Sequence, residues 1–297
     1  MSAHNRLIFA VIICISSLFP PEIAVGKRYS IVVQADPHLD FARELCRTAL
    51  EKAGIEAEFI PAPLCNERRQ LDMLRRGLVQ LDMMPVTPKR LHAARNGEIL
   101  MIPVPLDRGM LGWRLNLLLH SQRDMLADVR SVEDLAKFTM GQGEGWMDVD
   151  LYEAVGIRTK QVRRWRDAEF VQQMKAGYFQ LFPLGLEEAL DYFLPHFQTI
   201  EPDIVADPYI LVKYPWFRFP AVSAVAEDAR ALYEALQHGF DIMAQDGSFL
   251  EVFSHYKKLP PKSAFSERTV IEIPNPYYAY DLVSEKYRHL LYDPLRQ

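Results

Sequence analysis

The chain has 297 residues, 49% of them hydrophobic and 25% charged, and its 39 carboxylates against 34 Lys and Arg give a formal net charge of -5. This is the balance of a folded globular chain with room for one or two packed domains, not of a disordered or collagen-like one. The acidic excess, with no basic tract interleaved with aromatics, excludes nucleic acid as the expected partner, and the three cysteines, Cys14, Cys46 and Cys65, are too few for a disulfide-dense scaffold or a cysteine-rich zinc module.

The first element reads as a leader. Arg6 precedes an uninterrupted apolar run over residues 7–19, then come Pro20 and Pro21, and Ala24 and Gly26 stand as small residues at a signal cleavage site. A helix over that run covers about 20 Å, short of a ~30 Å hydrocarbon core, so residues 1–26 read as a secretory signal peptide and not as an uncleaved anchor. The mature chain then starts near Lys27, Cys14 is lost with the leader, and the expected location is the periplasm. Cys46 and Cys65 either close a disulfide loop or stay reduced; Cys46 shares a helical face with Ala42, Ala49 and Ala53, where a thiol behaves as a small hydrophobe.

From residue 29 the pattern alternates. Residues 29–35 suit a buried strand, and 39–53 carry an amphipathic helical stripe ended by Gly54. A strand at 55–60, a helix at 67–76 ended by Gly77, a strand at 80–86 and a short helix capped by Thr87 with Pro88 at its first position complete one α/β unit. After apolar stretches at 99–106 and 110–120 the alternation restarts. Ser131 and Asp134 have capping-box spacing, then strands at 138–141, 159–162 and 178–183 alternate with helices at 147–155, 168–176 and 187–193. Strand-like runs at 209–214 and 218–225 precede two helices, 227–244 and 248–256, broken at Asp246-Gly247. The tail with Pro260, Pro261, Pro274 and Pro276 reads as an extended wrap in which 270–273 adds an edge strand.

Catalytic signatures are missing: there is no GxxxxGK[ST], HExxH, GxSxG or CxxC, and the eight histidines are scattered, so no metal and no cofactor is expected. Asp148 and Asp150 begin like a calcium loop that nothing continues, and two carboxylates in a helix's first turn suit its dipole. The run Gly141-Gln142-Gly143-Glu144-Gly145 departs from a dinucleotide fingerprint; it is either a tight turn with Trp146 buried behind it or an anion-facing turn with Trp146 as an apolar wall. Arg114 lies in an otherwise apolar strand, so its guanidinium either pairs with a protein carboxylate or stands at a cleft and takes a ligand carboxylate through two hydrogen bonds.

Residues 81–90, Leu-Asp-Met-Met-Pro-Val-Thr-Pro-Lys-Arg, with 109–114, Gly-Met-Leu-Gly-Trp-Arg, and the late Asp246-Gly247-Ser248-Phe249 resemble, in order and spacing, type II periplasmic solute-binding proteins of the polar amino-acid ABC-importer branch. The resemblance implies an α/β fold of two lobes, each a mixed, mostly parallel sheet flanked by helices, with a ligand cleft between them. Its expected boundaries are 27–112 and 217–297 for the first lobe, with an extended tail over 258–297, and 113–216 for the second. It makes Arg114 the ligand anchor and Thr87 a donor from the first lobe. Trp113, the turn with Gln142, Gly143 and Trp146, and then Gln180, Phe182 and Asp36 complete the expected ligand contacts.

One position departs from the branch. The resemblance places an acid for the ligand ammonium on the second lobe's last inner strand, where this chain has Gln180, so a neutral or carboxylate-only solute stays open beside an α-amino acid. The implied protein is a non-enzymatic monomer that captures a small polar solute by hinge closure, for ABC-transporter membrane subunits or for a membrane sensor. A dehydratase-like enzyme on the same scaffold is the alternative, with Glu144 as its cleft acid.

Overall fold

A computed structural model describes residues 28–295 except 35, 64, 66, 258 and 260–264. The expected signal peptide lies outside the described residues. In chain order the first part forms β1 (Arg28–Gln34), α1 (Asp40–Lys52), β2 (Glu56–Ala62), α2 (Glu67–Arg75), β3 (Leu81–Asp82), α3 (Pro88–Arg95), β4 (Ile99–Met101) and β5 (Trp113–Leu119). The middle part adds α4 (Val132–Leu135), β6 (Thr139–Gly143), α5 (Asp148–Ala154), β7 (Arg158–Val162), α6 (Ala168–Lys175) and β8 (Phe182–Gly185). A helical run follows as α7 (Leu186–Glu188), a π-helical turn (Ala189–Phe193) and α8 (Leu194–Ile200). Then come β9 (Ile204–Ala206), β10 (Ile210–Lys213), β11 (Ala221–Ser223), α9 (Ala229–Asp246), α10 (Ser248–Tyr256) and β12 (Thr269–Glu272).

Two sheets organise these elements. The first has the order β2-β1-β3-β11-β4, parallel from β2 to β3, with β11 inserted antiparallel between β3 and β4. The second has the order β12-β10-β5-β8, with β9 also on β5, and β5 runs antiparallel to β8, β9 and β10. A parallel pair β6-β7 joins the second unit through a bridge between Met140 and Leu181. The strand expected over 178–183 lies later, because Pro183 and Gly185 still pair with Asn116 and Arg114 of β5.

The first core is built on the stripe of α1, whose Leu45, Cys46 and Ala49 pack with Ile31 and Val33 of β1 and with Phe240 and Phe249 of α9 and α10. Each side chain of that size taken from water contributes roughly 1.5–3 kcal/mol. The second unit has an aromatic core, in which Phe170 stands 4.4 Å from Phe182 and 4.5 Å from Phe197. A neighbouring cluster holds Tyr152, Tyr214 and Trp216.

The chain crosses between the units at 102–113 and returns at 213–221. The crossings touch where the Tyr214 N–H donates to the Gly112 carbonyl at 3.0 Å, and a Cβ on residue 112 would overlap the Tyr214 carbonyl oxygen. Buried Asp107 ties them again, its Oδ1 accepting from the N–H of Gly109 at 3.1 Å and of Arg218 at 3.3 Å.

The tail corrects the expected boundaries. Residues after 217 do not all belong to the first unit: Phe265 enters the aromatic core of the second, and β12 pairs in parallel with β10. The tail then crosses back, with Asn275 Nδ2 donating to the Pro215 carbonyl at 2.8 Å and Tyr278 Oη to the Val86 carbonyl at 2.8 Å, before Val283, Tyr287 and Leu290 enter the first core. Burial of these apolar positions in both cores turns the expected surface wrap into a third crossing.

Candidate functional site

Between the two units lies a cleft of about 700 Å³, a size suited to a small molecule. Arg114 reaches it from β5. Successive strand side chains face opposite sides, so Trp113 goes into the aromatic core, with Lys213 Nζ 4.7 Å from its ring centre, while Arg114 turns to the cleft. The guanidinium is 3% exposed, forms an ion pair with Asp148 of α5 and donates from Nε to Tyr214 Oη at 2.6 Å. Tyr214 in turn donates to Asp148. Burial alone would lower the Arg114 pKa, but Asp148, Tyr214, Tyr152 and Glu188 together outweigh it and hold the group charged. The reading in which Arg114 pairs with a protein carboxylate therefore holds, and the same residue lines the cleft. Asp148 does more than face a helix dipole, since it fixes this guanidinium.

Glu188, at the end of α7 and 12% exposed, is the second acid of the cleft. It forms an ion pair with Arg218 from the returning crossing, and its Oε1 stands 4.0 Å from His38 Nε2. Burial by itself would raise its carboxyl; the Arg218, His38 and Arg114 charges outweigh burial and hold it below the usual carboxylate value. Asp36, which follows β1, accepts from His38 Nδ1 at 2.6 Å and stands 3.9 Å from Arg166 of the second unit. Its carboxyl is likewise depressed, as the His38 hydrogen bond and the His38 and Arg166 charges overcome burial.

An aromatic shelf closes the second-unit side. Trp146 stands 4.7 Å from Trp165, and Trp165 stands 4.9 Å from Phe193. Phe182 lies fully buried beneath, 5.7 Å from Trp146, and Gly143 supports the same ring because a Cβ there would overlap the indole. Glu144 and Gly145 of the expected turn lie on the cleft wall.

Of the expected contacts, Arg114, Asp36 and Trp146 line the cleft, while Thr87, Trp113, Gln142, Gly143, Gln180 and Phe182 do not. Thr87 is spent as a helix cap: its Oγ accepts from the Arg90 N–H at 3.3 Å, while Arg90 forms an ion pair with buried Asp82. In the resembling 81–90 stretch Asp82, Thr87 and Arg90 thus hold lobe structure, while Met84 and Pro85 line the cleft. Gln142 is fully buried, with neither amide atom hydrogen-bonded among the described residues. Gln180 accepts from the Thr139 N–H at 3.0 Å and has no place in the cleft, whose acids are Asp36, Glu144, Asp148 and Glu188.

The disulfide is absent. Cys46 is buried in the first core, where burial raises its thiol pKa, whereas Cys65 lies on the cleft rim with Sγ 3.9 Å from Met73 Sδ; the two thiols face different environments and both are free. Sequence reading missed Glu188, Arg218, His38, Arg166, Trp165 and Phe193. The signal that could have flagged two of them, Trp165 and Arg166, is the run Arg163-Arg164-Trp165-Arg166, three guanidiniums around one indole on a loop between β7 and α6.

No family model matches the chain, and no curated protein matches it. Solved structures do. The GluR0 ligand-binding core in complex with L-glutamate has a TM-score of 0.52 at 11% identity, over 78% of this chain and 97% of that one. An amino acid ABC transporter substrate-binding protein from Streptococcus pneumoniae, bound to L-arginine, has a TM-score of 0.52 at 11% identity, over 78% and 95%. The ancestral amino-acid-binding protein AncCDT-1, a precursor of cyclohexadienyl dehydratase, has a TM-score of 0.50 at 13% identity, over 78% and 95%. At these identities the likeness carries the fold and nothing finer. The chain is an α/β protein with the two-lobed type II periplasmic-binding fold and a cleft between its lobes.

Proposed function

We propose that the protein is an exported, periplasmic binding protein that captures a small polar solute, amino-acid-like or carboxylate-bearing, by closure of the two lobes on it. An ABC importer is the membrane partner this reading favours. The observation that carries it is Arg114: a buried guanidinium at the cleft, oriented by Asp148 and Tyr214 through two of its five N–H donors. Such a group is pre-organised to take a solute carboxylate on its remaining edge, and the aromatic shelf supplies apolar surface opposite.

Binding is favoured over catalysis because three of the cleft's four acids are each tied to a cationic or imidazole partner, Asp148 to Arg114, Glu188 to Arg218 and Asp36 to His38. Glu144, the acid of the enzyme alternative, is 62% exposed with Arg163 Nε 3.9 Å away. None is left poised as a general base. Gln180 lies outside the cleft while Asp36 and Glu188 line it, so an α-amino acid stays open as ligand class beside a neutral or carboxylate-only solute.

A melting screen against amino acids, small carboxylates, amines and peptides tests the reading. A solute at a hundred times its Kd adds about 2.7 kcal/mol and raises Tm by several degrees. The shift should vanish in Arg114→Ala and in Arg114→Lys, which keeps a charge beside Asp148 but loses the planar fork. A refolded wild-type protein whose Tm no solute moves would overturn the proposal.

A further inference from the structure

A second concavity, a groove of about 1120 Å³, lies between α2 and α3 of the first lobe. Its walls are basic. Residues three and four apart on a helix share a face, so α2 turns Arg68, Asp72 and Arg75 into the groove over about 10 Å, and α3 answers with Lys89 and His92. Arg69 widens the α2 side, and Leu71 and Ala93 supply an apolar floor from the core beneath. Both acids of the groove are already engaged. Glu98 forms an ion pair with Arg75, and Asp72 Oδ2 stands 3.2 Å from Arg76 Nε. Arg68 and Lys89 have neither ion pair nor hydrogen bond among the described residues. Arg68 and Arg69 lie in the first turn of α2 and Lys89 in that of α3, at the positive ends of two helix dipoles, where acids are favoured and cations are not. Three cations set against two dipoles, in a chain of net charge -5, do not serve the helices; they concentrate positive potential at one end of the groove.

We infer that the groove between α2 and α3 is a second binding site, separate from the cleft, for a small soluble polyanion carrying two or more phosphate or carboxylate groups. It goes beyond the cleft reading and stands or falls without it. Arg68 and Arg69 each present a planar fork of N–H donors that takes a pair of phosphate or carboxylate oxygens, and Lys89 adds a mobile point charge. A single-group anion meets one end only. The distance from Arg68 to Arg75 along α2 calls for charge spread over the ligand, so a second anionic group on the same molecule reaches the Arg75 and His92 end. Arg68, Arg69 and Lys89 are exposed, so the groove strands no buried charge of its own, and their release from opposing helix dipoles is gained only when an anion arrives.

Titration calorimetry on the full chain tests it, with tripolyphosphate and citrate as probes and inorganic phosphate and acetate as their single-group counterparts. Each probe should bind at one per chain, about tenfold more tightly than its counterpart, and more weakly as salt rises. Arg69→Gln and Lys89→Gln line the groove and not the cleft; each should weaken tripolyphosphate about tenfold, as loss of a charge-assisted hydrogen bond does, with Tm unchanged in the absence of probe. Arg68 is left unchanged because it lines both places. Arg166→Gln removes a cation from the cleft alone and should bind tripolyphosphate as wild type does. No saturable heat from the two probes, equal affinity for probes and counterparts, or binding that survives the double groove variant overturns the site, and a loss confined to Arg166→Gln moves it to the cleft. Phosphatidylglycerol vesicles that hold the wild type at concentrations where tripolyphosphate cannot displace them, and release the double variant, overturn the soluble ligand in favour of a membrane surface.

Discussion

Glu188 and Arg218 join the two lobes through one ion pair, Glu188 standing after the last strand of the second sheet and Arg218 on the crossing that re-enters the first. This contact and the approach of Arg166 to Asp36 hold the cleft walls together with the chain's own charges.

The first prediction follows from the protonation of that pair. The Glu188 carboxyl is depressed below its ordinary value of 4.5, since the Arg218, His38 and Arg114 charges outweigh burial. A depressed carboxylate contributes stability that is fully present above the unfolded value and is lost as pH falls through the folded one. The lobes should therefore stay closed at neutral pH and loosen as pH falls below about 4. Small-angle scattering should record a rising radius of gyration over that window. Glu188→Gln should be the more open form at neutral pH, with a smaller acid response; an acid response of the same size as wild type would remove Glu188 from the contact.

A second prediction concerns Arg114 and Asp148. Each is buried, so removing either one alone leaves an uncompensated charge and should cost about 3–5 kcal/mol. In urea unfolding the double variant Arg114→Ala with Asp148→Ala should be much less destabilised than the sum of the singles, with a coupling above about 1 kcal/mol. Additive losses would mean that the pair does not act as a unit.

The α/β alternation of both units was legible because it rests on local signals: the stripe of α1, the glycines that end helices, and the caps at Thr87 and Ser131. Arg114 was legible too, since a lone guanidinium in a buried strand has few uses. Thr87 misled because a capping hydroxyl and a ligand-binding hydroxyl look alike in sequence. Glu188, Arg218 and His38 were invisible for another reason. They stand 30 and 150 residues from their partners along the chain, in segments with ordinary composition, and only the crossing of the lobes brings them together. The tail failed for the same reason, as its prolines announce an extended path but not which core its Phe265 and Tyr287 enter.

That tail carries a third prediction. Phe265 and Ile271 complete the cores of the second lobe, and Val283, Tyr287 and Leu290 that of the first. A chain ending before Phe265 should expose apolar surface on both lobes, bind a hydrophobic dye and lose the cooperative melt. A single change, Tyr287→Ala, removes a large buried ring and its hydrogen bond to Asp241 at 2.6 Å, and should cost about 3–5 kcal/mol in urea unfolding. A truncated chain that melts like the full one would show that the lobes are complete without the tail.

The last prediction separates space from backbone strain at the turn under Trp146. Gly143 has an ordinary φ, but a Cβ there would overlap the Trp146 indole, so Gly143→Ala must push the ring off its contact with Trp165. Crowding of this kind costs about 1–3 kcal/mol, and because the displaced ring is a cleft wall, solute affinity should fall with it. Gly145 is the control. Its φ is +80° and a Cβ there meets nothing within 4 Å, so Gly145→Ala should lose about 1–2 kcal/mol through the backbone alone. Near-UV circular dichroism distinguishes the two: the Trp146–Trp165 signal should change in Gly143→Ala and persist in Gly145→Ala. Equal spectra for both variants would mean that the ring is not held by the absence of a side chain at 143.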